Sequence, residues 1–371
     1  MQVNITADIS RRIETQSFQQ SSVMAFKVPR DSVFKALQVR LKGAITTTFA
    51  SGTPVAENRS TMANLINYID INANGGTTLK NVTPWMMHIQ QLMATVVFGV
   101  RKASAGGSAA SPAENVTADS KFVYGTTGQI TSVVESIIVF FENVMSSDGM
   151  KTLWDTRGLA SAEMKLATGA YSALLGYANT APVVYSDSTL QVELSSIETQ
   201  SIPNNVYFAT FKQTTKSKSF TAQVSDELVD INRGNFLQGI MIEAHDGAAG
   251  STTTASGKVL SNILLTDLKL IINGSLYLQN TTFGDLQDKN RNRYGINAAY
   301  SSNVSLMDGM AYLDLLSPKS GQKFGSIDSA QDLRAPNVDS CQLAVSTSSV
   351  PSYTATAYIN VMTNEIVPPQ A

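Results

Sequence analysis

Apolar and polar residues alternate through most of this chain, and a period of two is the mark of a half-buried β-strand. AEMKLAT (162–168) and SCQLAVST (340–347) both follow that pattern. QITSVVESIIVFF (129–141) and VSLMDGMAYLDLL (304–316) add β-branched and aromatic side chains, which favour pleated structure. LQVELSSIETQSIP (190–203) and TAYINVMTNEIVP (356–368) each run as a strand toward a closing Ile and Pro. Helical signals are few. TPWMMHIQQLMATVVFG (83–99) predicts a helix with Thr83 as cap and Pro84 in its first turn. SSDGMKTLWDTRGLAS (146–161) predicts a short helical passage capped by Ser147 or Asp148, and SIDSAQDLRAPN (326–337) a second one cut off by Pro336.

These elements recur in one order. NYIDINANGGTTLKNVT (67–83) and TDLKLIINGSLYLQNTT (266–282) align without gaps, matching Asn74 with Asn273, Gly75 with Gly274 and Thr83 with Thr282. Asn-Gly between two alternating runs predicts a tight hairpin, because a type I′ turn needs positive φ at both central residues. DTRGLASAEMKLA (155–167) likewise aligns with DLRAPNVDSCQLA (332–344), matching Asp155 with Asp332, Arg157 with Arg334, Leu166 with Leu343 and Ala167 with Ala344. Upstream, stretches beginning Ser17-Phe18 and Ser219-Phe220 each place another Phe sixteen residues on, Phe34 and Phe236. The shared order implies two copies of one unit. Each copy carries about eight strands and few helices, so the fold class is all-β: two tandem eight-stranded jelly-roll sandwiches with short helices in loops. The expected organisation is an N-terminal arm over 1–13, sandwiches over 14–203 and 211–371, and a linker over 204–210. Two insertions differ between the copies: a small-residue loop at 103–120 and a polar, charged loop at 283–302.

Charged residues make up 15% of the 371, well below the roughly 25% of an average domain. That deficit suits a surface largely covered by other subunits, since interface cores are depleted in charge. A net charge of −2 leaves no global basic field for specific nucleic-acid binding. The single cysteine, Cys341, excludes an intramolecular disulfide and a cysteine zinc cluster. No run approaches the 18 apolar residues of a membrane span, and MQVNITADISRRIETQ has no apolar core of a signal peptide. The chain therefore reads as a soluble protein made and kept in the cytosol.

Candidate chemistry is sparse. His88 sits on the apolar helical stretch and reads as a packed residue. His245, in EAHDG, stands at a strand end within reach of Glu243 and Asp246, too small a set for a metal site. Glu135 and Glu142 fall at odd spacing on one strand and face opposite sides, unlike a glycosidase pair. Asp285 and Asp288, among Lys289, Arg291 and Arg293, read as a solvated charge cluster. No catalytic residue, cofactor or metal site is assigned. The repeated Asp155–Arg157 and Asp332–Arg334 read as structural corner pairs, and Asn74, Gly75, Asn273 and Gly274 as hairpin turns. Arg11 and Arg12, ahead of the first predicted strand, are the candidates for contact with an anionic lipid surface.

IETQSFQQSSVMAFKVP with VFKALQVRLKGAIT resembles the opening strands of the double jelly-roll major capsid proteins of tailless icosahedral, membrane-containing viruses, the tectivirus-like and adenovirus hexon lineage. LINYIDINANGG, TPWMMHIQQLM and VFFENVMSSDGMKTLWDTRGLASAEMKLA resemble the strands and helices that follow in that family. The resemblance covers residues 12–203 by motif and reaches the second half through the repeat. It implies a non-enzymatic major capsid protein whose homotrimers form pseudo-hexameric capsomers tiling an icosahedral virion, made in the host cytoplasm. Neighbouring capsomers, vertex or minor capsid proteins and an internal viral membrane are the partners it implies. The alternatives are a minor vertex or spike protein of the same fold, and a two-domain sandwich that binds or cleaves carbohydrate through exposed aromatics. Trp85 and Trp154, the two tryptophans, lie in predicted helical passages.

Overall fold

The computed structural model describes all residues except 1–7, 50–61, 99–128, 172–182, 187–188, 200–201, 203–205, 246–259, 297–298, 302–303, 306, 308, 317, 319–323, 350–356 and 370–371. The first half carries β1 (Asp8–Ser17), β2 (Val23–Lys27), β3 (Val33–Phe49), β4 (Ile66–Ala73), β5 (Thr77–Val82), helix α1 (Pro84–Phe98), β6 (Gln129–Phe140), β7 (Trp154–Asp155), β8 (Ala162–Thr168), β9 (Val183–Ser186) and β10 (Gln191–Thr199). The second carries β11 (Thr210–Phe220), β12 (Glu227–Asp230), β13 (Phe236–His245), β14 (Leu265–Ile272), β15 (Ser275–Thr282), helix α2 (Phe283–Tyr294), β16 (Ala299–Ser301), β17 (Val304–Ser305), β18 (Met310–Asp314), β19 (Gln331–Asp332), β20 (Cys341–Thr347) and β21 (Ala357–Val367).

Strand order makes each half a jelly roll. The first packs β1-β10-β3-β6 against β2-β8-β4-β5, and the second packs β11-β21-β13-β18 against β12-β20-β14-β15. Inward residues such as Leu37, Val39, Leu41, Met164 and Leu166 fill the first core, and Leu268, Leu270, Leu343 and Val345 fill the second. The halves are not separate beads. β5 pairs in parallel with β11 through Lys80↔Gln213 and Asn81↔Thr214, which fuses one sheet of each sandwich into a continuous surface. β13 is consequently buried on both faces: Ile240 and Ile242 point into the second core, while Met241 points into the first. That explains the nearly unbroken apolar run in FLQGIMIEAH.

α1 starts as its capping residues require, with Thr83 Oγ1 accepting from Met86 N at 3.3 Å. It is buried on almost every side because the second sandwich covers its outer face. Its counterpart corrects an expectation: residues expected to form a charged loop at 283–302 begin with α2. Thr282 accepts from Asp285 N at 3.0 Å, Gly295 ends the helix at φ 69°, and Phe283, Leu286, Gln287, Asn290 and Tyr294 form its buried stripe. Asp285 and Asp288 therefore belong to a helix, with Asp288 bound to Arg291 one turn on. The insertion at 103–120 lies outside the described residues.

Three further expectations shift. Pairing begins at Asp8, opposite Thr199, inside the segment expected to be an arm; β1 is a largely exposed edge strand, so hydropathy did not announce it. The passage at 146–161 contains only a 3-10 turn, Gly149–Thr152, and Trp154 is in a strand. The gapless repeat alignment also slips beyond the Asp-x-Arg pairs. Thr168 N donates to Ser22 O and Thr168 Oγ1 accepts from Ser22 N, and Thr347 makes the same two bonds with Val224. Thr168 thus corresponds to Thr347, so Leu166 answers to Val345 rather than Leu343, and the second connection is two residues longer. Phe34 pairs with Trp154, whereas Phe236 pairs with Asp332; the counterpart of Phe34 is Leu237.

Candidate functional site

The seam between the sandwiches is lined by polar side chains held at depth. Lys80 is fully buried, its Nζ donating to Gln213 Oε1 at 2.8 Å and lying 3.9 Å from the centre of the Phe211 ring. Gln213 Nε2 in turn donates to Asn364 Oδ1 at 2.9 Å and to Gln90 Oε1, on α1, at 3.2 Å. Burial pushes the Lys80 ammonium well below its ordinary value, with no carboxylate opposing that shift. Further along, Asn143 Nδ2 donates to Gln238 Oε1 at 2.6 Å, and Gln238 Nε2 to Met145 O at 3.2 Å. Buried amides need directional partners, so the seam tolerates one alignment of the two sandwiches.

Glu243 anchors the far end of the seam. Its carboxylate accepts from Thr83, the cap of α1, bonds His245, and accepts from Asn360 Nδ2 at 3.3 Å. Tyr358 stacks on the His245 ring at 4.4 Å. Burial would raise the Glu243 carboxyl, but the His245 pair and the bonds from Thr83 and Asn360 hold it below its ordinary value. The two residues thus meet in the core, with no further acid or cysteine around them: among the described residues no group of three metal-ligating side chains exists. Asp246 lies outside the described residues. His88 is buried beside Trp85, their rings 5.9 Å apart. Glu142 stands past the end of β6, where burial raises its carboxyl against the pull of Lys35; the Glu135 side chain is outside the described residues.

The repeated motifs gather at one end of the molecule. Asn74 and Gly75 have φ of 50° and 77°, and Asn273 and Gly274 have 50° and 72°. Asn74 Oδ1 accepts from Ala160 N, and Asn273 Oδ1 accepts from Asp339 N, so each hairpin is bound to the loop entering β8 or β20. Asp155 accepts from Arg157 N, Nε and a terminal nitrogen at 3.0, 2.9 and 2.8 Å, and Asp332 holds Arg334 the same way at 2.9, 3.1 and 3.1 Å. The two turns also touch: Asp148 accepts from Ser326 Oγ and Ile327 N, while Lys151 reaches Asp328 at 3.0 Å.

Arg11 departs from its expected role. Its guanidinium is engaged by Glu198 and Asp31, both at 2.9 Å, because β1 lays it across these carboxylates rather than in a free arm. Arg12 is exposed on the neighbouring face of β1. Trp85 and Trp154 are only 7% and 6% exposed, which leaves neither ring open to a sugar. The seam residues Lys80, Gln213 and Asn364 carried no signal in the sequence; they stand on the polar phase of ordinary alternating strands. No helix among the described residues is long and apolar enough to cross a membrane.

No protein-family model matches the chain, and no curated protein does. Solved structures do. The chain is similar to the major capsid protein of Sulfolobus turreted icosahedral virus, with 13% identity and a TM-score of 0.61 over 98% of this chain and 97% of that one. It is similar to the capsid of the virus PBCV-1, at 9% identity and a TM-score of 0.57 over 97% and 93%. The major capsid protein of bacteriophage PM2 gives 10% identity and a TM-score of 0.52 over 98% of both chains. At such identities the likeness establishes the fold: two jelly rolls in tandem, matched end to end.

Proposed function

We propose that this protein is the major coat subunit of an icosahedral virion, three copies forming a pseudo-hexagonal tile of six sandwiches. One observation carries the reading: the likeness to a viral coat protein spans 98% of the chain and includes both sandwiches together. A single jelly roll would say little, since lectins and enzymes also use it. The tandem arrangement with a shared sheet is a far narrower match. A tile must be rigid, and the fused sheet, the buried seam and the bonded turns at one end supply rigidity.

On this reading the units run from Asp8 to Thr199 and from Thr210 to Val367, and the protein resides in the virion without catalytic activity. Its partners are copies of itself, vertex or minor capsid proteins, and an internal membrane. Arg12 is the exposed cation for anionic headgroups, at about 1 kcal/mol near such a surface. The Asp-x-Arg corners and Asn-Gly hairpins stiffen the end of each sandwich.

Light scattering of the purified protein tests the proposal. A trimer has three times the 39.7 kDa chain mass, about 119 kDa, and should persist on dilution. A clean 39.7 kDa species at micromolar concentration would overturn the trimeric capsomer.

A further inference from the structure

The shared sheet splits at one end. β5 and β11 pair only at Lys80↔Gln213 and Asn81↔Thr214. Before that point, Thr77 and Thr78 pair with β4, and Thr210 to Lys212 pair with β21, so the edges that face each other lack ladder partners among the described residues. The cause is local: the β4–β5 register shifts between Ile71 and Asn72, leaving Leu79 as a bulge residue that bends β5 away. The resulting wedge is a cleft of about 490 Å³. Leu79, Trp154, Phe208 and Pro368 form apolar walls, and Tyr207, 77% exposed, stands at the mouth. Lys212 also lines it, and no ion-pair or hydrogen-bond partner engages this ammonium among the described residues. Asp155 shares the cleft but is committed to Arg157.

We infer that this wedge takes an extended peptide from another polypeptide, one that presents a carboxylate to Lys212 and an apolar side chain to the half-buried Phe208 and Pro368. Two facing strand edges offer backbone donors and acceptors, and a strand added between them would continue the sheet. Alternate side chains of such a strand point to opposite faces, so the apolar walls and the unpaired cation select alternate positions. A phosphate would call for several converging cations or an arginine fork; among the described lining residues Lys212 is the one cation. The site does not depend on the coat-protein reading, because the trimer mass and peptide binding are measured separately.

The test uses the full-length protein and a fluorescent pentapeptide, Thr-Val-Glu-Val-Thr, followed by fluorescence polarisation. Saturable binding is expected, weaker by roughly tenfold when Lys replaces the peptide's Glu. Lys212→Glu should reverse that preference, and Tyr207→Ser, at an exposed position, should weaken both peptides. A peptide N-methylated at alternate amides should not bind, since its ladder bonds are blocked. Absence of saturable binding, indifference to Lys212→Glu, or full binding of the methylated peptide would each overturn the inference. Far-ultraviolet circular dichroism of both variants shows that they are folded.

Discussion

Lys80 Nζ and Gln213 Oε1 lie 2.8 Å apart across the parallel ladder that fuses the two sandwiches. A fully buried ammonium with a neutral amide and two aromatic rings for company is an expensive choice for a joint. Desolvating an uncompensated charge costs several kcal/mol, whereas leaving the buried Gln213 amide oxygen without its donor costs about 1–3 kcal/mol.

Lys80→Met tests this balance. Because folding lowers the Lys80 value, the unfolded chain binds more protons between that lowered value and about 10.4, and stability rises with pH across this window. We expect the variant to be at least as stable as the parent at pH 7, and its advantage to shrink toward pH 10 in urea midpoints. A parent more stable by several kcal/mol at every pH would show that the ammonium's contacts outweigh its desolvation.

Glu243→Gln addresses the opposite sign. A carboxyl held low in the fold contributes stability that is present above about pH 4.3 and is lost as pH falls through its folded value. The variant should lose about 1–3 kcal/mol at pH 7, since Thr83, His245 and Asn360 then face an amide with a single accepting oxygen in place of a carboxylate. Its remaining stability should fall less steeply than the parent's between pH 5 and 3. Parallel acid profiles would place the acid sensitivity elsewhere.

Gly239→Ala should be among the more damaging small changes. An added Cβ would press against Tyr312 Oη and would lie 2.7 Å from Leu313 O, and the second is backbone that cannot step aside. We expect a loss of about 1–3 kcal/mol from overpacking. Gly76→Ala, with nothing within 4 Å, should stay within about 0.5 kcal/mol. Equal denaturation midpoints for the two would mean that β18 shifts freely.

Much of this architecture was readable from local signals. Asn74-Gly75 and Asn273-Gly274 declare their turns because few residues other than Gly and Asn readily accept positive φ. The match of Thr83 with Thr282 joins two helix caps, so α2 was legible through the repeat: Thr282, Asp285 and Gly295 mark its ends. Its charged residues concealed the stripe of Phe283, Leu286, Asn290 and Tyr294, since two of the inward positions are amides or phenols bonded in the core. Register was less legible. A two-residue difference in one connection leaves both copies with period-two patterns, so Leu166 and Leu343 looked equivalent while Thr168 and Thr347 are.

The sequence by itself determined most of the strands, the hairpins, the duplication and hence the two sandwiches, because alternation, turn chemistry and caps act over a few residues. Only the tertiary structure decided how the sandwiches meet. The pairing of Lys80 with Gln213, the contact of Thr83 with Glu243 and the wedge beside Lys212 join residues more than a hundred positions apart. Each lies on an unremarkable polar phase of its own strand or turn, and its partner is set by the packing of one whole sheet against another.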